Sequence, residues 1–343
     1  MMSLPLSEEI QKYTVPWLQL DWPIDWPQIF DRPGDLILEI GFGNGYFLSD
    51  MATARPDACF VGIERAWGSM RRLFRRLNAL KLNHVRAIEG DAAFLLQHVF
   101  APQSLSEIWI NFSDPWPKER HHNRRLIQDT FVKILAERLK PDGGVTIATD
   151  HADYATWITD ILTRQSDLQS IYATPSVHQL PGRTPTKYEQ KAIDAGVPIH
   201  YFAWRRKSEL SVETRIQKVG NMPNIVLEGA YQREEILTLI GQATDQVWRE
   251  THRNTQIVIK MTDIYCQLPD NHGLISVMVR EGELAQYFGI SLLFRKNDQL
   301  LVKLAPMGLP RPTWGVKKAV QKVADLILET HPNLWLASST VGL

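Results

Sequence analysis

Residues 35–45 read DLILEIGFGNG: after Asp35 comes an apolar run, LILEI, that carries one carboxylate, Glu39, and turns at once into a glycine-rich loop. The run has strand length, and the following GNGYFLSDMATA has helical spacing. Gly41, Gly43 and Gly45 therefore stand where a strand hands over to a helix. Glycine at such a turn lets a ligand approach the backbone with no Cβ in the way. The rhythm continues outward. ACFVGIE (58–64), HVRAIEGD (84–91), SEIWINFS (106–113) and GGVTIATD (143–150) are strand runs. Between and after them WGSMRRLFRRLNAL, AAFLLQHVF, RRLIQDTFVKILAERL and YATWITDILTRQ read as helices. Alternation of this kind builds βαβ units on a parallel sheet, which PIHYFAWRRK (198–207) would close as a last strand.

Two regions depart from that rhythm. Residues 1–34 look irregular, with Trp17, Trp22 and Trp26 set among Pro16, Pro23 and Pro27, and are expected to form an N-terminal arm whose rings pack onto the domain surface. From 208 to 343, NIVLEGAY, TQIVIKM, LISVMVRE, YFGISLLFRK and QLLVKLA are strand-like. REEILTLIGQATDQVWRE and KKAVQKVADLILET are helical. Consecutive strands with flanking helices indicate a smaller, separate α+β domain without a recognisable catalytic motif. The expected organisation is thus an arm (1–34), an α/β domain (35–207) and a C-terminal α+β domain (208–343) of unknown role.

Composition narrows the function classes. Of 343 residues, 38 are basic and 38 acidic, so any polyanion must be met by a local patch and not by the field of the whole chain. Two cysteines, Cys59 and Cys266, lie too far apart in sequence for a metal-ligand spacing and fit a reducing, cytoplasmic setting; no metal is expected. The opening MMSLPLSEEIQKY lacks the apolar centre of a signal peptide, and no window has the length of a membrane span.

Four acids then decide the ligand. Glu39, Glu64, Asp91 and Asp114 fall at four successive strand ends. A dinucleotide site presents a helix N-terminus to a pyrophosphate, which these carboxylates would repel. They suit a cationic, phosphate-free adenosine ligand, S-adenosyl-L-methionine. Glu64, nineteen residues past Gly45, is placed to take ribose hydroxyls, and Asp91 to meet the adenine edge.

The substrate half centres on NFSDPWPKERHHNRR (111–125). Pro115 and Pro117 stiffen a loop after the fourth strand, as a preorganised site requires. Trp116 is of a type that stacks on bases, and Lys118, Arg120, Arg124 and Arg125 of a type that meets phosphates, although a charge run is equally read as a solvated face. A second basic group lies between Glu64 and Glu89, where seven basic residues occur without an acid. Arg71 with Arg75, and Arg72 with Arg76, are one helical turn apart, an arrangement that a polyanion would relieve.

The motifs LEIGFGNG, GIE, EGDA, SDPWPKERHHNRRL, ATD and TPTKYEQK, in that order, resemble the bacterial tRNA (guanine-N7)-methyltransferases over residues 35–207. The resemblance implies a Rossmann-like S-adenosylmethionine-dependent methyltransferase fold with a mostly parallel seven-stranded sheet. It implies methyl transfer to N7 of a variable-loop guanine in tRNA. Glu39, Gly41, Gly43, Gly45, Glu64, Asp91 and Asp114 would contact the cofactor, with Asp114 also catalytic. Lys118, Asp150, Thr186, Lys187, Tyr188 and Glu189 would contact the substrate nucleotide. Ser113 stands where the family usually has proline, which would loosen the loop slightly. The alternatives are a methyltransferase for another RNA or a small molecule, an NAD-binding oxidoreductase, and a catalytically silent RNA-binding module. Oligomeric state is not legible.

Overall fold

The computed structural model describes residues 6–183, 185–207, 216–267 and 272–342. They fall into two compact units, one of Met1–Trp17 with Asp21–Gln217, the other of Leu18–Leu20 with Lys218–Leu343. The first carries helices α1 (Leu6–Tyr13) and α2 (Trp26–Phe30), then strand β1 (Leu36–Ile40), α3 (Tyr46–Ala54), β2 (Cys59–Glu64), α4 (Trp67–Ala79), β3 (Val85–Glu89) and α5 (Ala92–His98). It continues through β4 (Leu105–Asn111), α6 (Asp129–Arg138), β5 (Leu139–Thr149), α7 (Ala152–Arg164), β6 (Leu168–Ser170), α8 (Lys187–Asp194) and β7 (His200–Arg206).

These strands form one sheet in the order β3-β2-β1-β4-β5-β7-β6. β1 to β5 run parallel, and β7 is antiparallel to both β5 and β6. This is the mostly parallel seven-stranded α/β sheet expected from the sequence. All five residues of β1 are buried, and apart from Glu39 its side chains are apolar on both faces and read as a continuous run. The chain steps outward from β1 to β2 and β3, then returns to add β4 on the other side. The carboxyl ends of β1 and β4 therefore flank the switch point where open α/β sheets bind ligands.

On one face of the sheet, Ile37, Phe60 and Val85 pack against Leu48 of α3 and Met70, Leu73, Phe74 and Leu77 of α4. Apolar residues at 70, 73, 74 and 77 make one stripe of α4, which leaves Arg72 and Arg75 exposed on the other.

Residues 6–34 hold more regular structure than their irregular pattern suggests. Tyr13 of α1 is fully buried and its ring stacks on Phe74, 6.0 Å between centroids. Trp22 and Trp26 are each 3% exposed, against Phe94 and Phe100 respectively. Ring burial outweighs the weak local propensity here, and neither ring is open to a base. The HHNRR run also differs from expectation: Glu119–Arg124 is a short 3₁₀ helix separate from α6, which starts only at Asp129.

The second unit contains β8 (Asn224–Gly229), α9 (Arg233–Gln242), β9 (Val247–His252), β10 (Thr255–Gln267), β11 (His272–Glu281), β12 (Leu284–Arg295), β13 (Gln299–Leu304), α10 (Trp314–Thr330) and β14 (Leu334–Ser339). Its sheet, in the order β14-β8-β13-β12-β11-β10-β9, is antiparallel throughout. Ile236 and Ile240 of α9 and Val316, Val320, Val323 and Ile327 of α10 cover one face of it. The α+β class matches expectation, but DQVWRE does not continue α9. Arg253 and Asn254, both at positive φ, make a two-residue hairpin turn that pairs VWRETH with β10. The alternating exposure of β9 follows from that pairing.

Leu73 is fully buried, so Leu73→Ala should destabilise the chain by about 2–5 kcal/mol, seen as a lower urea midpoint with unchanged slope. Arg75→Gln, on the exposed side of the same helix, should stay within about 0.5 kcal/mol of the parent.

Candidate active site

Gly41, Gly43 and Gly45 all adopt positive φ, near +74°, +55° and +74°. At Gly41 and Gly43 an added Cβ would meet nothing within 4 Å, so the loop faces open space. At Gly45 it would lie 2.5 Å from Leu73 Cδ1, so there the missing Cβ makes room for helix packing. The open side is a cavity of about 310 Å³. Its walls are Glu39 and Asn111 at the two strand ends, the loop Gly41–Asn44, the rings of Phe42, Tyr46, Phe47 and Phe112, and on the rim Asp114 and Thr186.

Glu39 is the unusual group. It is 3% exposed; Asn111 Nδ2 donates to its Oε1 at 2.9 Å, and its Oε2 is buried without a hydrogen-bond partner. Burial pushes its carboxyl up to about 7 against the pull of Asn111. A buried, half-satisfied acceptor beside an open glycine loop fits a ligand with a cationic or hydrogen-bonding group and opposes a pyrophosphate.

The neighbouring carboxylates are held by backbone. Glu64 accepts from Gly43 N at 2.9 Å through Oε2, and from Arg65 N and Ala66 N at 2.8 and 3.1 Å through Oε1. Asp91 caps α5, its Oδ1 accepting from Phe94 N at 3.0 Å. Both stand at the ligand edge of the sheet, but neither lines the cavity.

Asp114 is exposed on a loop whose shape is imposed from below. Phe112 and Trp116 take positive φ, 53° and 42°, a conformation that bulky residues rarely adopt. Arg125 holds the loop: it is 4% exposed, its Nε donates to Pro115 O at 2.8 Å, and its guanidinium lies over Tyr154 and Trp157. Its expected meeting with phosphates is therefore corrected, because the buried group is spent on the loop. Nor does Ser113 leave the loop slack, since its Oγ shares a 3.3 Å hydrogen bond with Tyr154 OH. Trp116 meets His121 edge-on and has Arg124 over its ring.

A family profile described as "Putative methyltransferase" matches residues 33–202. The tRNA (guanine-N(7)-)-methyltransferase of Cutibacterium acnes is 37% identical over 54% of this chain and 68% of its own length. The enzyme of the same name from Corynebacterium jeikeium is 38% identical, over 54% of this chain and 75% of its own. That from Methylobacillus flagellatus is 36% identical, over 59% and 84%. The chain belongs to the tRNA (guanine-N7)-methyltransferases.

The cofactor of this methyltransferase is S-adenosyl-L-methionine, and the orphaned Glu39 oxygen and open glycine loop fit it. Of the substrate residues expected, Thr186 lies on the cavity wall, Lys118 is exposed beyond the proline loop, and Asp150 is exposed at the end of β5. The side chains of Lys187 and Tyr188 lie outside the described residues. Glu189 is 1% exposed with both oxygens engaged. Arg183 donates to them at 2.7 and 2.9 Å, Tyr201 OH at 2.6 Å and Thr186 N at 2.8 Å. These partners hold its carboxyl below the ordinary range despite burial.

The methyltransferase's basic helix is also less free than its sequence. Arg76 pairs with Asp50 at 2.7 Å, donates to Ser49 Oγ and lies over the Tyr46 ring at 4.3 Å, so it braces the cavity wall. Arg72 and Arg75 remain exposed. Asn111 and Arg183 were not anticipated as site residues. Asn111 closes the WIN of the fourth strand, and Arg183 immediately precedes TPTKYE, but neither has a spacing that announces its partner. Among the described residues no cluster could hold a metal ion, and no helix is long and apolar enough to cross a membrane.

Folding raises the proton affinity of Glu39, so the cost of ionising it is absent below about pH 4.5, grows as pH rises to about 7, and is constant above. Denaturant unfolding of wild type and Glu39→Gln across that range should show the variant gaining relative stability with rising pH, by about 1.4 kcal/mol for each unit crossed. Parallel profiles would remove the buried-acid assignment.

Proposed function

We propose that this chain methylates N7 of a variable-loop guanine in tRNA at the cavity between β1 and β4, in the cytoplasm. The observation that carries the reading is the unpartnered Oε2 of Glu39, buried in a cavity whose rim holds Asp114 and Thr186. S-adenosyl-L-methionine, when bound, supplies an electrophilic methyl group. Glu39, Gly41 and Gly43 would hold it, with Glu64 and Asp91 on its ribose and adenine and Gly45 keeping the loop's entry into α3.

Guanine N7 carries an in-plane lone pair and needs no deprotonation, so the protein has no general base to provide. Its work is positioning and electrostatics. Asp114 orients the guanine edge and stabilises the positive charge that grows on the purine. Its loop arrives shaped by Arg125, Ser113 and two prolines, so the carboxylate needs no reorganisation at the moment of reaction. Lys118, Asp150 and the Thr186–Glu189 segment hold the nucleotide, with Glu189 acting through Thr186 and Arg183 because its own oxygens are filled. Arg72 and Arg75, with Lys118 and Arg120, meet backbone phosphates.

We further propose the division into arm (1–34), catalytic domain (35–207) and C-terminal domain (208–343), the boundary at 208 lying outside the described residues.

Asp114→Ala should fold and bind S-adenosylhomocysteine yet lose about 10²–10³ in turnover, the cost of one preorganised group in such a site. Mass spectrometry of N7-methylguanosine in previously unmodified tRNA gives the readout, and near wild-type turnover would overturn the assignment. Replacing Arg72 and Arg75 by Gln should weaken tRNA binding largely regardless of sequence and flatten its salt dependence. An unchanged slope would mean these two face solvent alone.

A further inference from the structure

Arg183 presents a problem of energetics. Its side chain is 3% exposed and its partner Glu189 1%, yet Arg183 Nη1 has no hydrogen-bond partner. A buried guanidinium–carboxylate pair seldom stabilises a fold more than apolar residues of the same size would, and an unsatisfied donor makes it worse. Stability alone gives this side chain little reason to be arginine.

Its contacts supply one. Nε and Nη2 grip both oxygens of Glu189, and Nη2 also donates to Asn111 Oδ1 at 2.7 Å. The other end of the Asn111 amide donates from Nδ2 to Glu39 Oε1. A guanidinium only donates and a carboxylate, when ionised, only accepts. The amide between them therefore has one satisfying orientation, so fixing either end fixes the other. Phe47, Trp109 and Tyr201 lie against the guanidinium at 4.7, 5.5 and 5.5 Å and hold it in place. Glu189 in turn accepts from Thr186 N at the cavity wall.

We propose that Asn111 and Arg183 are positioning residues that couple cofactor binding to tRNA binding, through the chain Glu39–Asn111–Arg183–Glu189–Thr186. The proposal rests on the assignment of Glu39 to the cofactor and Thr186–Glu189 to the nucleotide. A ligand group that takes the free oxygen of Glu39 holds the carboxylate ionised and in place. That holds the amide, the amide holds the guanidinium fork, and the fork seats the nucleotide segment. By linkage the effect is reciprocal: each ligand tightens the other by the same factor.

The test uses S-adenosylhomocysteine, which binds without reacting. Its affinity is measured with and without unmodified tRNA, and that of tRNA with and without it. In wild type both should improve by one common factor, within the usual range of about 5–150-fold. Arg183→Lys keeps the charge but loses the planar fork that sets Glu189 and Asn111 in one geometry, leaving a flexible ammonium that fixes neither relative to the other. The factor should then fall to about 1, with S-adenosylhomocysteine affinity measured alone changed by less than about threefold. A residue that merely supports the fold would lower stability, or both affinities, and leave their ratio untouched. Asn111→Ala breaks the chain while leaving Arg183 paired with Glu189; because Asn111 also lines the cavity, it is read by the coupling factor alone, which should again fall to about 1 if the lysine variant fails to fold. Wild-type coupling retained in either folded variant, or no coupling in wild type that still methylates tRNA, overturns the proposal alone. A wild type that binds S-adenosylhomocysteine but transfers no methyl group to tRNA overturns the reading beneath it.

Discussion

A carboxylate buried at the end of a parallel strand is the constraint around which the first unit is arranged. Glu39 is the one charged residue of β1 and stands one residue before a loop whose glycines leave it open to a ligand. Its side-chain partner Asn111 comes from β4, the neighbouring strand across the switch point, so this hydrogen bond adds a side-chain link to the backbone ladder that joins the two halves of the sheet. Burying that acid costs free energy, visible in its raised proton affinity, and the fold leaves one of its oxygens unsatisfied. Sites that bind or react are where such local costs are found.

The same logic divides charged residues that look alike in a linear reading. Arg76 and Arg125 belong to runs that resemble solvated or phosphate-binding faces, yet each is drawn inward by a specific acceptor and an aromatic ring. Arg72 and Arg75, one step around the helix from a stripe of Leu and Phe, stay outside; Arg72 reaches only Ser69 Oγ on its own helix, at 3.0 Å. What separates them is the neighbouring element: Asp50 on α3 in one case, the carbonyl of Pro115 in the other. Neither neighbour can be inferred from helical spacing.

Legibility in the sequence follows that division. β1 to β5 and the glycine loop were readable because strand period, glycine and a terminal acid coincide within eleven residues. The proline loop was readable because DPWPK is a local covalent constraint. Arg183 and Glu189 were not paired in advance, since their link to Asn111 spans 72 residues and exists only once β4 and α8 are placed. That rings of the N-terminal arm pack onto the domain is legible in its Trp and Pro content, but their partners are not, because Tyr13 and Trp22 meet rings some sixty to seventy residues away. In the second unit β9 was hidden because VWRE suits a helix as well as a strand until the Arg253–Asn254 turn folds it back.

The three backbone amides that hold Glu64 have a consequence for how a ligand is met there. A glutamate free in solution samples many rotamers, and ordering one costs up to about 2 kcal/mol. Gly43, Arg65 and Ala66 impose that order as the chain folds, before any ligand arrives. Any ligand hydroxyl that reaches this edge of the sheet would encounter a carboxylate with its direction already chosen, so the entropy of aiming it falls on folding and not on association.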